Sequence, residues 1–261
     1  MKCICERPLS RSLPSAPSWS HALDTEPGAR KNRLLAVLPD EDWQRLLPQL
    51  EWTDLPQGRV LHESGDAIDH VYFPTTAIVS LVNVMMDGAS TEVAVVGNDG
   101  LVGIALVMGG ESSSSRAVVQ SAGFGLRMKA RLLSAEFGRS GTVMHLLLRY
   151  TQALMTQMAQ TAVCNRHHTI DQQLCRCLLI HLDRLGGDEI LMTHESISNM
   201  LGVRREGVTE TAQKLQAAGL IRYARGRISV LDRPGLERRA CECYSVVRNE
   251  YDRLLGAPAA A

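Results

Sequence analysis

The residues best suited to chemistry lie between Thr193 and Val230. Arg204, Arg205 and Glu206 are consecutive, Thr209 and Glu210 follow one helical turn later, and Lys214 stands one turn beyond. A guanidinium can donate two hydrogen bonds to O6 and N7 of guanine. A carboxylate can accept from N4 of cytosine, and a good bidentate pair contributes roughly 1–3 kcal/mol of base discrimination. Arg225 and Arg227 flank Gly226 between two strand-like segments, where cations at a hairpin tip suit phosphate contact. The plain alternative is a solvated charged face, so the elements that would position these side chains decide the matter.

Those elements are legible. Thr193 is placed to cap a helix, and Glu195 suits its first turn. Ile197 and Leu201 are four apart and face one way, and Gly202 supplies the positive φ of a sharp turn. Val203 fills the corner, and Val208, Ala212 and Leu215 continue an inward face on a second helix. This spacing is that of a helix-turn-helix, two helices crossing steeply over a small shared core. In such a unit the first turns of the second helix reach base edges. The hairpin at Leu220–Tyr223 and Arg227–Val230 then reads as a wing. Six cationic residues face three acidic ones from Thr193 to Val230, although the whole chain has a formal net charge of zero. A neutral total excludes a uniformly basic surface and leaves a local basic patch open.

Upstream, Met144, Leu148, Thr151, Met155, Met158 and Ala162 recur at alternating steps of four and three. That is a heptad seam without proline, expected to pair with its twin in a homodimer. A further helix is expected from Ile170 to Leu185, ended by Gly186-Gly187. Between Glu51 and Ala130 the texture is β. VYF, AIVSLVNVM, TEVAVVG, LVGIALVMG and RAVVQSAGFGLRM are short β-rich segments punctuated by glycine and aspartate, which suggests a sandwich or barrel. Met86-Asp87-Gly88 is a hairpin turn, and a short helix is expected near Asp40 to Leu50. The resulting division is a disordered tail at 1–30, a β-rich domain at 31–139, a dimerisation helix at 140–165, a winged helix-turn-helix at 166–236 and a C-terminal helix or tail at 237–261.

At 261 residues the chain can build two small cores. No apolar run approaches the roughly 18 residues of a membrane span, and the N-terminus lacks a signal-peptide core, so a cytoplasmic protein with no membrane partner is expected. Seven cysteines, Cys3, Cys5, Cys164, Cys175, Cys177, Cys241 and Cys243, are an odd set for a disulfide framework. The C-x-C pairs invite a metal reading, but no His pair accompanies them in sequence, and i and i+2 positions diverge on a helix. No metal is therefore assigned.

Taken together, LPQGRVLHESGDAIDHVYFP, STEVAVVGNDGLVG and LGVRREGVTETAQKLQAAGLIRYARGRISV resemble the Crp/Fnr family of transcription regulators, over about Leu34 to Asp232. The resemblance implies an α+β fold: an N-terminal double-stranded β-roll of jelly-roll type, a long dimerisation helix and a C-terminal winged helix-turn-helix. It places Arg205-Glu206 at the family's base-reading pair. Implied partners are double-stranded DNA, a second copy of the chain, RNA polymerase and a small-molecule effector.

The resemblance implies an effector pocket between the 103–117 stretch and the long helix, with Gly103, Ile104, Ser114, Ser115, Arg116, Leu147 and Thr151 as its residues. Relatives that bind cyclic nucleotides have a Gly-Glu pair and an Arg-Ser pair. Here Gly103-Ile104 and Arg116-Ala117 stand there, so cyclic AMP is not expected. A β-roll without cysteine, with Cys3 and Cys5 alone upstream, does not suit an iron–sulfur cluster. His62, His70 and His145 are the histidines that haem sensing would draw on. Glu210 stands where relatives often place an arginine.

The competing class is a jelly-roll, cupin-like metalloenzyme using His62, Glu63 and His70, although the H-x-H pair of cupins is missing. No catalytic triad or phosphate-binding loop is present, so no enzyme activity is expected. A protein-contact scaffold is a third reading, weakened by the cationic wing and the Arg-Arg-Glu face.

Overall fold

The computed structural model describes residues 26–256 with the exception of Ser140. Three short helices open it: α1 (Glu26–Ala29), α2 (Arg33–Ala36) and α3 (Asp40–Leu46). The expected tail thus gives way to helix before residue 30, and Ala29 is buried; residues 1–25 of that tail lie outside the described residues. Asn32 explains the early order. Its side-chain oxygen accepts from the backbone N–H of Leu34 and Leu35, while its amide donates to the carbonyls of Pro74 (2.9 Å) and Gly100 (2.8 Å). One buried amide therefore caps α2 and fastens it to the strands that follow.

The strands are β1 (Glu51–Leu55), β2 (Val60–His62), β3 (His70–Pro74), β4 (Ile78–Val84), β5 (Ser90–Val96), β6 (Arg116–Ser121) and β7 (Gly123–Lys129). They form two antiparallel sheets, β1-β7-β3 and β2-β6-β4-β5. Alternating residues meet between them, and Val71, Val79, Ala117, Val119 and Leu126 are almost wholly enclosed. The β4–β5 hairpin closes over Met85–Ala89 as its turn signal requires.

One expected strand is absent. LVGIALVMG forms a 3₁₀ turn at Ile104–Met108. Gly103, at φ 100°, turns the chain out of the sheet, and a Cβ there would stand 3.0 Å from Val71 Cγ1. A short apolar run cannot by itself distinguish strand from helix.

After α4 (Ala130–Gly138) comes the 26-residue α5 (Thr142–His167). One stripe of it, with Val143, Leu147, Tyr150 and Leu154, lies on the roll. The opposite stripe leaves Leu148 45%, Met155 60% and Val163 46% exposed. A capping box of Thr169 and Gln172 starts α6 (Ile170–Leu185), and Gly186 ends it in the left-handed region.

The last unit contains β8 (Glu189–Leu191), α7 (His194–Leu201), α8 (Arg205–Ala217), β9 (Ile221–Ala224) and β10 (Arg227–Val230), the strands ordered β8-β10-β9. The C-terminal segment is two helices, α9 (Arg233–Arg239) and α10 (Cys243–Leu255). Val247, Tyr251, Leu254 and Leu255 of α10 join the core of the roll, so this helix folds back onto the β-strands.

Candidate nucleic-acid interface and sensor cavity

The corner between α7 and α8 is built as its residue types require. Thr193 caps α7 through the backbone N–H of Ser196 (3.1 Å). Gly202 takes φ 64°, where a side chain would be strained. Ile197, Val208 and Leu215 have no measurable exposure, so the two helices share one small core. This fixes the outward face of α8. Arg204, Arg205, Glu206, Glu210 and Lys214 are all exposed, and Arg204 occupies the N-cap without a side-chain cap bond. Gly207 allows α8 to approach α6, since a Cβ there would lie 2.9 Å from Ile170 Cδ1.

These side chains are not equally available. Glu210 and Lys214 pair with each other at 2.8 Å, and the hydrogen bond from Lys214 holds the Glu210 carboxyl below its usual range. Thr209 is half-buried and lies 3.0 Å from His194 Nδ1, with its hydroxyl donating to Arg205 O. His194 stacks on Tyr223 at 4.3 Å between ring centroids, and burial, with the Arg205 charge second, holds its pKa below the ordinary value. His194 and Tyr223 therefore join the start of α7, the outward face of α8 and the wing. Gln213, exposed one turn beyond Thr209, extends that face. His194 and Tyr223 do not stand out in the sequence, because stacking across 29 positions leaves no local periodicity.

The wing is a two-residue hairpin turn. Arg225 (φ 51°) and Gly226 (φ 76°) are both left-handed, as a type I′ turn requires. Arg225 is exposed at its tip. Arg227 is instead drawn along the sheet, where its guanidinium pairs with Glu189 of β8.

Inside the roll, a cavity of about 260 Å³ opens toward α5. Gly103, Ile104, Ser114, Ser115 and Thr151 line it, as do His62, Met155 and Met158. Two residues expected here lie elsewhere. Leu147 is packed in the core at 2% exposure, one turn away from the lining face of α5. Arg116 points out of the roll, because Ala117, its neighbour on β6, takes the inward position; it pairs with Glu63 at 3.2 Å. His62 is buried, and burial holds its pKa down.

The sequence model of the cyclic nucleotide-binding domain matches residues 52–135, and that of the Crp-like helix-turn-helix domain matches residues 172–239. The chain belongs to the Crp/Fnr family of DNA-binding transcription regulators. Solved structures of this architecture agree in fold. FixK2 from Bradyrhizobium japonicum aligns over 74% of this chain and 98% of its own, at 16% identity and a TM-score of 0.62. A CRP-family transcriptional regulator from Thermus thermophilus aligns over 72% and 96%, at 20% identity and 0.60. No curated protein sequence matches the chain.

Within this Crp/Fnr member, the cupin-like alternative has no support. His62, Glu63 and His70 do not gather, and the group of metal-ligating side chains among the described residues is Cys164, His168, Cys241 and Cys243. The seam residues Leu148, Met155 and Ala162 are exposed, while Met144, Thr151 and Met158 are half-buried. No helix among the described residues is long and apolar enough to cross a membrane.

The β-roll and the DNA-binding unit are joined by polar contacts between residues far apart in the sequence. Gln120 of β6 donates to Ser196 of α7 at 2.7 Å. Arg184 at the end of α6 donates to Asp99 and to Gln157 of α5, and Tyr251 of α10 donates to the same Gln157 oxygen at 3.1 Å.

Proposed function

We propose that this regulator acts as a homodimer in the cytoplasm and reads a pseudo-palindromic operator through α8. The observation that carries the reading is the exposed Arg205-Glu206 pair in the first turn of a helix whose opposite face is fully enclosed. Arg205 is the guanine reader, Glu206 the cytosine acceptor, and Arg204 and Arg225 contact phosphate. The Glu210–Lys214 pair adds charge balance to the face. Two copies of α5 pair along the Met144 to Ala162 seam, which covers the exposed Leu148 and Met155. A two-fold arrangement would place the recognition helices about 34 Å apart in successive major grooves.

The cavity is the site proposed for an effector. Its wall carries serines, methionines and a histidine whose pKa burial holds down, and no arginine or lysine. That lining favours an uncharged or weakly polar small molecule over a cyclic nucleotide phosphate. Thr151, Met155 and Met158 belong both to this wall and to the seam, so a ligand that binds one seam arrangement more tightly shifts the dimer. Selecting genomic fragments on the purified protein tests the function. Recovery of a two-fold-symmetric site supports it, and uniform, salt-sensitive binding to all fragments contradicts it.

A further inference from the structure

Four side chains converge at the junction where α5 ends and α10 begins. Cys164 sits on the last turn of α5 and His168 at its C-cap, while Cys241 precedes α10 and Cys243 opens it. Residues 77 positions apart in the chain come together here. Cys164 Sγ and Cys241 Sγ are 3.5 Å apart, Cys243 Sγ is 3.6 Å from His168 Nδ1, and the four donor atoms lie within 4.8 Å of one another. A tetrahedral zinc ion with bonds of about 2.3 Å to sulfur spaces its ligands roughly 3.8 Å apart, so the group already has the size of such a site.

The surroundings are those of a metal centre. The three cysteines are at most 5% exposed and form an enclosed cluster of their own. His168 faces the thiols through Nδ1, and its Nε2 lies 3.3 Å from the Glu242 carboxylate. A carboxylate on the outer nitrogen of a ligating histidine is the usual orienting partner, because it fixes the tautomer and the ring. Gln173 holds the backbone in place through the carbonyls of Cys164 (3.3 Å) and His168 (2.9 Å).

We propose that Cys164, His168, Cys241 and Cys243 bind one zinc ion in a closed Cys₃His site. Three sulfurs and one imidazole nitrogen in tetrahedral array select zinc over harder divalent ions. Four protein ligands leave no open position, so the role is structural rather than catalytic. The ion pins α10 to the junction between the seam helix α5 and the DNA-binding unit. A disulfide between Cys164 and Cys241 would use two of the four ligands and leave the Cys243–His168–Glu242 arrangement without a purpose.

The test is metal analysis of the full-length protein, purified under reducing conditions after removal of any histidine tag. One zinc per chain is expected. His168→Gln and the double variant Cys241→Ser/Cys243→Ser should lose it, while Cys177→Ala, outside the cluster, should keep it. Returning zinc to chelator-treated protein should shield three thiols from a chromogenic thiol reagent, and cobalt(II) in its place should give the visible bands of tetrahedral thiolate coordination. The proposal is overturned if the parent protein holds no zinc and added zinc shields no thiol. Equal zinc in the parent and the double variant overturns it too, as does a Cys164–Cys241 disulfide in the mass spectrum of the reduced-state preparation. A folded His168→Gln, judged by circular dichroism, keeps the result interpretable if the double variant misfolds.

Discussion

The Arg184 guanidinium meets the Asp99 carboxylate at 2.8 Å, with the two side chains only 4% and 10% exposed. Asp99 belongs to the turn after β5 of the roll and Arg184 to the last turn of α6, so one enclosed ion pair joins the roll to the DNA-binding unit. Gln157 of α5 accepts from the same guanidinium, and its oxygen also accepts from the Tyr251 hydroxyl of α10. Gly97 is required beside it, because a Cβ there would stand 2.6 Å from Arg184 Cβ.

Removing one member of this pair strands a buried charge. Asp99→Ala should lower stability by roughly 3–5 kcal/mol, read by denaturant unfolding. Asp99→Ala/Arg184→Leu should recover much of that loss, because neither charge then remains enclosed. A double variant no more stable than Asp99→Ala would contradict the account of the pair.

Glu92 on β5 gives a pH signature. Burial raises its pKa to about 7, against the lowering influence of the Ser80 hydrogen bond and the Arg176 and Arg184 charges. The folded state therefore holds this proton where the unfolded chain releases it. The group's contribution is most favourable below the unfolded value near 4.5 and is lost as pH rises through about 7. Glu92→Gln should stabilise the protein at pH 8 by up to about 3 kcal/mol, and the gain should vanish toward pH 4.5. Thermal unfolding across that range checks it; a gain independent of pH would contradict it.

The seam predicts a change of assembly without a change of fold. Met155 is 60% exposed in the single chain, so glutamate there is tolerated by the protomer. Met155→Glu should convert a dimer to a monomer in analytical ultracentrifugation, with circular dichroism unchanged. A parent protein that is already monomeric would contradict the pairing.

The wing and the recognition helix should separate by salt. Arg225 at the hairpin tip is a phosphate contact in this account, so Arg225→Ala should weaken binding to all sequences alike and reduce the salt slope by about one. A change confined to particular base pairs would assign Arg225 to base reading instead.

Local patterns made the DNA-binding unit readable in the sequence. Gly202 and the Ile197–Leu201–Val208 spacing specify their corner within a dozen residues, and the Arg225-Gly226 turn signals itself by residue type. Features set by tertiary contact were not readable. The 101–109 run has strand composition, yet Gly103 turns it into a 3₁₀ element against Val71. Arg116 follows strand alternation, whose inward face depends on a register the sequence does not carry. Arg184 looks like an ordinary basic residue at a helix end; its partner lies 85 positions away. The four side chains of the proposed zinc site are likewise unremarkable in sequence, one Cys-x₃-His spacing and one of three Cys-x-Cys pairs, and folding alone brings Cys164-x₃-His168 to Cys241-x-Cys243.

Base reading by α8 through Arg205 is tested most directly by the affinity of the parent and Arg205→Ala for a selected operator and for a scrambled duplex, at one fixed salt concentration. A loss of roughly 1–3 kcal/mol per half-site is expected on the operator, with little change on the scrambled duplex. Equal affinities of parent and variant for the operator would contradict it.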